Sequence, residues 1–294
     1  MKNLNKFALW TGPILILIIV SISYFHKHSV AVLDPQGPVS RSEYHLIVIT
    51  VLLSLIVVIP VFVLLFYITS KYRENNGSTY APELDHNGII EAIWWLIPSI
   101  LILILSVIIW DSSHQLDPFK PVNANARPLH IQVIALQWKW LFVYPEQQIA
   151  TLNYVQFPAQ TPIDFDITAD APMNSFWIPQ LGSQIYAMPG MSTQLHLLAD
   201  RSGNFRGSSA NISGQGFADM NFIAHASSQI DFDNWIGEVK QSPNNLNLNS
   251  YNYLADNKST SPMTFYAFAD PQIYPSVITK YMGPMSNMHM VGSE

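Results

Sequence analysis

The sequence predicts a membrane α-helical hairpin, preceded by an N-terminal apolar helix or signal and followed by an all-β sandwich with short C-terminal helices. Two observations carry that expectation. Residues up to about Trp110 are dominated by Leu, Ile and Val, whereas the rest is rich in Asn, Ser, Asp, Pro and aromatics. Such asymmetry separates an apolar anchor from a water-soluble domain. Beyond Pro128, apolar and polar residues alternate between Pro and Gly turns, the pattern of half-buried strands. A chain of 294 residues has room for one sizeable soluble domain plus membrane segments.

Three apolar stretches stand in the first part. Phe7 to Phe25 follows Lys2 and Lys6; two lysines, an apolar core and a polar exit describe a spanning helix and a signal peptide alike. The nearest cleavage site, Ser29-Val30-Ala31, is a poor one. Leu46 to Ile68 and Ile89 to Trp110 each reach the roughly 20 apolar residues that a bilayer crossing needs. They are apolar on every face, which a buried helix of a soluble protein rarely is over such a length. Pro60 and Pro98 are tolerable there through kinking or packing against neighbours. Basic residues stay on the cytoplasmic side. Lys2 and Lys6 therefore start inside, Lys71 and Arg73 return inside, and everything after Asp111 lies in the periplasm.

The soluble part begins with a linker marked by Pro118, Pro121 and Pro128. In the run from Pro162 to Thr168, Ile163, Phe165 and Ile167 share one face while Asp164, Asp166 and Thr168 share the other. Leu129 to Leu136, Thr151 to Phe157, Thr193 to Leu198 and Met220 to Ala226 read as further strands. Many short strands with Pro and Gly turns predict a sandwich or Greek-key barrel. Asp231 to Lys240 has helical spacing, a second short helix is expected at Pro275 to Met282, and the tail from Gly283 to Glu294 reads as disordered. The expected division is 1–34 for the signal or first helix, 35–111 for the hairpin, 112–230 for the β-domain and 231–294 for the C-terminal extension.

A net charge of −6 provides no basic stripe to neutralise phosphates, so nucleic acid is excluded as a partner. With no cysteine, disulfides, thiolate metal sites, cysteine nucleophiles and cysteine-linked lipid are excluded as well. No Ser-His-Asp arrangement, phosphate loop or paired-carboxylate signature stands out. His196 and His225 lie in expected strands at unrelated spacing, and core or surface histidines are the better reading. Met282, Met285, Met288, His289 and Met290 offer thioether and imidazole to copper, although a non-functional end is the plainer reading.

A helical hairpin before an exported β-domain resembles subunit II of the haem-copper oxidases. Gln137-Trp138-Lys139-Trp140, with Phe142 and Tyr144, resembles that family's aromatic segment. Asn174 to Gly182 resembles its first metal-ligand loop, and Gly207 to Met220 its second. The likeness runs from about Leu33-Asp34-Pro35 to beyond Met220. It implies a cupredoxin-like sandwich, and in cytochrome c oxidases these loops hold a dinuclear copper centre. Its ligands are two cysteines, two histidines, a methionine and a glutamate carbonyl. Here Asn174 stands at the first histidine position, Ser209 and Ser213 at the cysteines, Asn211 at the glutamate and Phe217 at the second histidine. Only Met220 keeps its type, and a lone thioether does not hold such a centre. Fold kept and ligands lost is the pattern of the haem-copper quinol oxidases. Gly182 to Met188 and Tyr144 to Gln147 resemble their bo-type ubiquinol oxidase branch in particular. Relatives of this type often carry a lipid-modified cysteine near the position of His28.

The resemblance implies a non-catalytic subunit II of a proton-pumping ubiquinol oxidase in the inner membrane. It implies no catalytic residue and no cofactor in this chain, with haem, copper and quinol in subunit I. Subunit I is the main partner implied, with subunits III and IV and membrane lipid. Glu91 has two readings. One is a carboxylate favoured by the dipole at a helix N-terminus. The other is a proton-entry residue, because an ionisable group at membrane depth is a functional candidate and the family's glutamate here lies at the mouth of a pathway into subunit I. Trp138 and Trp140 are read as core packing or subunit contacts, and Trp94 and Trp95 as packing on subunit I or lipid. The rival class is a stand-alone membrane-tethered module that binds a small ligand or handles copper.

Overall fold

The computed structural model describes residues 30–72, 87–122 and 126–282. The first apolar stretch with Lys2 and Lys6, His28, Arg73, and the tail residues Met285, Met288, His289 and Met290 lie outside that set. The chain divides into two compact units, one of residues 42–120 and the other of residues 1–41 with 121–294.

The first unit holds the two long helices, except for the opening turn of the first, which falls in the other unit. Helix α1 runs Pro38–Lys71, and α2 runs Gly88–Gln115. At 1.5 Å per residue they are roughly 50 and 40 Å long, more than the roughly 30 Å of a bilayer's hydrocarbon core. Both extend beyond their apolar stretches. Pro38 opens α1 eight residues before Leu46, at the first-turn position where its missing N–H costs nothing, and α2 continues through Ser112 and His114. Hydroxyls in these helices turn back onto the backbone. Ser54 donates to the Thr50 carbonyl at 2.8 Å, Ser99 to Trp95 at 2.6 Å and Ser106 to Ile102 at 2.8 Å. Such bonds satisfy a hydroxyl where no water is at hand. Trp94 and Trp95 are 64% and 78% exposed, apolar surface suited to lipid or to a partner chain.

The second unit is a β-sandwich, its strands numbered in chain order. The six-stranded sheet has the order β12 (Thr264–Tyr266), β3 (Ile149–Leu152), β2 (Lys139–Tyr144), β1 (Leu129–Leu136), β5 (Ile163–Ala169) and β8 (Thr193–Leu197). The five-stranded sheet has the order β4 (Tyr154–Pro158), β10 (Asn221–Ser227), β9 (Gly203–Ser209), β6 (Asn174–Trp177) and β7 (Ile185–Ala187). Between them lies the main core, where Ile131, Val133, Trp140, Phe142, Phe165, Ile167, Phe176 and Phe222 are buried. The alternation expected in Ile163 to Thr168 is present, with Ile163, Phe165 and Ile167 inward.

The single strand expected over Thr151 to Phe157 is two. Asn153 takes a left-handed φ of 55° and breaks it, so β3 pairs with β2 while β4 pairs with β10 in the other sheet. The Asn153 side chain holds the corner: its Oδ1 accepts from Trp140 N at 2.8 Å and its Nδ2 donates to the Ser261 carbonyl at 2.7 Å. A short polar side chain tolerates the left-handed region, and the backbone there bonds to both sheets, Asn153 N donating to the Trp140 carbonyl at 2.8 Å and its carbonyl accepting from Ile223 N at 3.2 Å.

Three helices follow: α3 (Gln229–Val239), α4 (Leu248–Asp256) and α5 (Ile273–Tyr281). The first and last agree with the sequence expectation to within two residues. Helix α4 was not anticipated. It starts on a capping box between Asn247 and Ser250. A third, two-stranded sheet joins β11 (Asn245–Leu246) to β13 (Phe268–Ala269). Helix α3 packs Phe232, Trp235 and Val239 on the main core, while α4, α5 and the small sheet cover the outer face of β1, β2 and β3 and form a second core of Ile134, Leu136, Leu141, Val143, Tyr251, Leu254, Ile273 and Val277.

Residues 30–41 belong to this unit as a strap. Gln36 donates its N–H to the Gln180 carbonyl at 2.7 Å and accepts from Asp200 N at 2.8 Å. Its side-chain oxygen receives Arg201 Nε at 2.6 Å. Ser40 donates to the Gln180 carbonyl at 2.8 Å, and Arg41 pairs with Asp200 at 2.5 Å. Gly37 passes so close that an added Cβ would stand 2.3 Å from the Leu198 carbonyl oxygen.

Candidate functional site

The loops that resemble a metal site come together at one end of strands β6, β9 and β10 in the five-stranded sheet. Asn174 opens β6, Ser209 ends β9, and the loop from Ala210 to Gly216 leads through a 3-10 turn, Phe217–Asp219, into β10. The Ser209 hydroxyl lies 3.1 Å from both Asn174 Oδ1 and the Asn211 carbonyl. It accepts from Asn211 N at 3.4 Å and Ser175 N at 3.5 Å. Asn174 Nδ2 donates to the Pro172 carbonyl at 2.7 Å, and Asn211 Nδ2 to the Met173 carbonyl at 2.9 Å. Asn174 and Ser209 are buried, so their polar atoms need these partners. The bonds tie β6 to the loop in the way that shared ligands tie a metal site.

The other positions do different work. Met220 is 1% exposed and packs in the main core, and its carbonyl accepts from Ser209 N at 3.2 Å. Phe217 is half-buried on the 3-10 turn. The Ser213 carbonyl receives Trp138 Nε1 at 3.2 Å, while its buried hydroxyl oxygen has no hydrogen-bond partner among the described residues. Trp138 sits at a left-handed turn, φ 58°, and lays its ring against the loop. A Cβ at Gly216 would stand 2.3 Å from that ring, so the tryptophan and the glycine require one another.

Beneath the loops lies an aromatic layer. Phe176 and Phe222 stack at 5.1 Å, and Trp140 meets them edge-on at 5.3 and 5.8 Å. Gly207 makes room for the Phe222 ring, which an added Cβ would approach to 2.0 Å. Trp140 is therefore a core residue and Trp138 a loop support.

The six positions together offer amides, hydroxyls, an aromatic ring and one core thioether. This donor set does not fit a dinuclear copper centre, which needs soft thiolates and imidazoles. The nearby histidines are engaged elsewhere. His196 Nδ1 lies 2.6 Å from Asp164 Oδ1, on the outer face of the six-stranded sheet, and His225 Nδ1 lies 2.5 Å from Asn204 Oδ1. Among the described residues no group of three or more His, Asp or Glu side chains is arranged to hold a metal ion.

Glu91 belongs to the helical unit. It lies in the first turn of α2, exposed, and its N–H donates to the Asn87 carbonyl at 3.0 Å. Asn87 caps the helix, its Oδ1 accepting from Ile89 N at 3.1 Å and Ile90 N at 3.2 Å.

Two buried charges escaped the sequence reading. Lys139, fully buried at the start of β2, donates Nζ to the Asn257 carbonyl at 2.6 Å and Ser259 at 3.3 Å. Burial pushes its pKa below the ordinary lysine value. Asp170, just past β5, accepts from Tyr251 at 2.7 Å, Lys280 at 2.7 Å and Tyr281 at 2.6 Å. Burial alone would raise its pKa, but these three hydrogen bonds outweigh it and hold the carboxyl below its usual range. A charge inside the aromatic run from Trp138 to Tyr144 was the one available signal for Lys139.

Family models match two segments. The cytochrome c oxidase subunit II periplasmic domain covers residues 145–227, and the COX Aromatic Rich Motif covers residues 240–285. Cytochrome bo(3) ubiquinol oxidase subunit 2 of Pseudomonas putida is 48% identical over 252 residues, 85% of this chain and 80% of that protein. Ubiquinol oxidase subunit 2 of Acetobacter aceti is 47% identical over 257 residues, 86% and 83% of the two chains. Quinol oxidase subunit 2 of Bacillus cereus is 38% identical over 248 residues, 82% and 85%. A solved periplasmic domain of cytochrome oxidase subunit II from Bradyrhizobium japonicum aligns over 40% of this chain and 96% of its own, at 21% identity and a TM-score of 0.38.

Proposed function

This chain belongs to the subunit 2 family of the ubiquinol oxidases, and on that premise we propose that it serves as the non-catalytic subunit II of a proton-pumping haem-copper ubiquinol oxidase of bo type. Electrons pass from ubiquinol to oxygen within the complex, and haem, copper and quinol belong to subunit I. This chain holds no cofactor of its own. The supporting observation is the loop site itself: Asn174, Ser209 and Asn211 close on one another by hydrogen bonds where copper-bearing relatives carry ligands. A lipid-soluble donor reaches the membrane subunit directly, so an exported copper relay is not needed.

The helical hairpin of residues 35–111 then anchors the chain in the bacterial inner membrane. Residues 112–230 stand in the periplasm as the cupredoxin-like domain, with 231–294 as its extension. The two apolar helices offer surface to subunit I first, then to subunits III and IV and lipid. Glu91, near the cytoplasmic end of α2, serves as a proton entrance to subunit I. Its place in the first turn of α2, next to the Asn87 cap at the end of the apolar span, supports that reading.

The test is to purify the tagged chain from native membranes and measure bound haem and quinol-oxidase turnover per haem. Haem and activity are expected to co-purify, and Glu91→Gln to slow turnover without loss of assembly, Glu91→Asp being milder. A helix-end charge alone is worth about 0.3–1 kcal/mol of stability and leaves turnover unchanged. Recovery of the chain without haem would favour a stand-alone binding or copper-handling module.

A further inference from the structure

A cleft of about 650 Å³ opens where α3, the following loop and β12 meet β4, and three of its walls are aromatic: Tyr154, Trp235 and Phe265. The rings stand at steep angles to one another. Tyr154 and Phe265 are 5.6 Å apart at 88°, Trp235 and Phe265 6.3 Å at 80°, and Tyr154 and Trp235 5.9 Å at 50°. Tyr154 and Trp235 are braced by neighbouring side chains, and Phe265 is held at its backbone. Tyr154 donates its hydroxyl to Gln156 Oε1 at 2.7 Å. Trp235 rests on Tyr144 at 5.7 Å and Phe232 at 5.8 Å. The Phe265 carbonyl accepts from Ser242 Oγ at 2.8 Å. The exposed Glu238 stands on the rim, and among the described residues no lysine or arginine lines the cleft.

We propose that this cleft is a binding site for a quaternary ammonium group, with Tyr154, Trp235 and Phe265 as an aromatic box and Glu238 as its counter-charge. Aromatic faces are negative and attract a cation lying within about 6 Å of the ring centroid. A cation about 4 Å from two perpendicular ring centres separates those centres by about 6 Å, the spacing found here. A trimethylammonium group suits such walls because its methyls make van der Waals contact and ask for no hydrogen bonds. A sugar needs one broad flat ring to stack on, and three mutually tilted rings do not provide it. An anion would meet the carboxylate and the negative faces without a compensating donor from Lys or Arg.

Two sources carry this chemistry, a free trimethylammonium solute and the choline headgroup of a lipid. The full chain, in a choline-free maltoside detergent at matched ionic strength, is titrated with tetramethylammonium while saturation transfer to its methyl protons is followed by NMR. Saturable binding is expected, about fivefold tighter for choline than for the uncharged isostere 3,3-dimethyl-1-butanol. Glu238→Gln, on the exposed rim, should weaken tetramethylammonium about threefold. Phe265→Leu, which removes one aromatic wall but keeps an apolar side chain, should weaken it about fivefold. Tighter binding of phosphocholine than of choline assigns the site to a headgroup, and the reverse order to a free solute. Equal affinity for choline and the neutral alcohol would overturn the proposal. So would the absence of saturable tetramethylammonium binding, or binding indifferent to both substitutions in chains that melt like the wild type.

Discussion

The six-stranded sheet is buried on its inner face and, over β1, β2 and β3, on its outer face, but the two faces are closed by different means. Its inner face meets five strands, and the contact is nearly all apolar: Trp140, Phe142, Phe165, Phe176 and Phe222 interlock within 5.1–6.1 Å of one another where they pair. Its outer face meets α4, α5 and two short strands, and there the apolar contact of Leu141, Val143, Leu254 and Ile273 is supplemented by charge. Lys139 and Asp170 each reach out of the sheet to fasten the extension. Regular strands fix their own register by ladder bonds, so shape and area suffice for the inner face. An irregular segment has no ladder to hold it, and buried charge-assisted bonds specify where it lies.

The largest effect is expected in the inner face. Phe176 is fully buried and touches four aromatic rings, Trp140, Phe142, Phe165 and Phe222. Phe176→Ala should cost about 3–5 kcal/mol, the usual range for emptying such a site. Urea unfolding of the full chain, followed through tryptophan fluorescence, measures it. A cost below about 1 kcal/mol would mean that the aromatic layer is not the main brace of the sandwich.

The outer face should fail more gently and in a pH-dependent way. Asp170→Asn keeps the size of the side chain but removes the charge that Lys280, Tyr281 and Tyr251 address. About 1–3 kcal/mol is expected at neutral pH, together with faster proteolysis between Asn244 and Tyr281. The folded pKa of Asp170 is depressed, so its contribution is present above the unfolded carboxyl value, about 3.9, and fades as pH falls through the folded one. The gap between wild type and variant should therefore shrink only below about pH 4. A gap that closes between pH 6 and 8 would point to another group.

The same contrast explains what could be read from the sequence. Strands β1, β5 and β8 were legible because one side of each alternates cleanly, as Ile163, Phe165 and Ile167 do against Asp164 and Asp166. Strand β2 was legible only as an aromatic segment, since all six of its residues are buried and period two vanishes when both faces are covered. Asn153 hid a change of sheet inside an apparently continuous strand. In the extension α3 was legible from its helical spacing, whereas α4 and the strands β11, β12 and β13, of two or three residues each, were not, because such short elements carry little local period. At the loops, the family resemblance implied that Asn174, Ser209 and Ser213 stand at ligand positions. It did not reveal that Asn174 and Ser209 bond to each other while Ser213 turns its carbonyl to Trp138.

That last difference yields the smallest and most discriminating prediction. Ser209 and Ser213 hold equivalent places in the sequence pattern but opposite ones in the structure. The Ser209 hydroxyl lies between Asn174 Oδ1 and the Asn211 carbonyl and accepts from Asn211 N. Ser209→Ala removes a donor and an acceptor from buried partners, so a loss of about 1 kcal/mol is expected. The Ser213 hydroxyl oxygen is buried without a hydrogen-bond partner among the described residues, a desolvated group that gains nothing in return. Ser213→Ala removes that unpaired atom and leaves the carbonyl that Trp138 uses. It should be neutral or stabilise the fold by up to about 1 kcal/mol. The two variants, unfolded side by side in urea, should shift their midpoints in opposite directions or leave Ser213→Ala unmoved. Equal losses in both would show that the second serine is also bonded, and that the two serines form one symmetric device rather than two unlike ones.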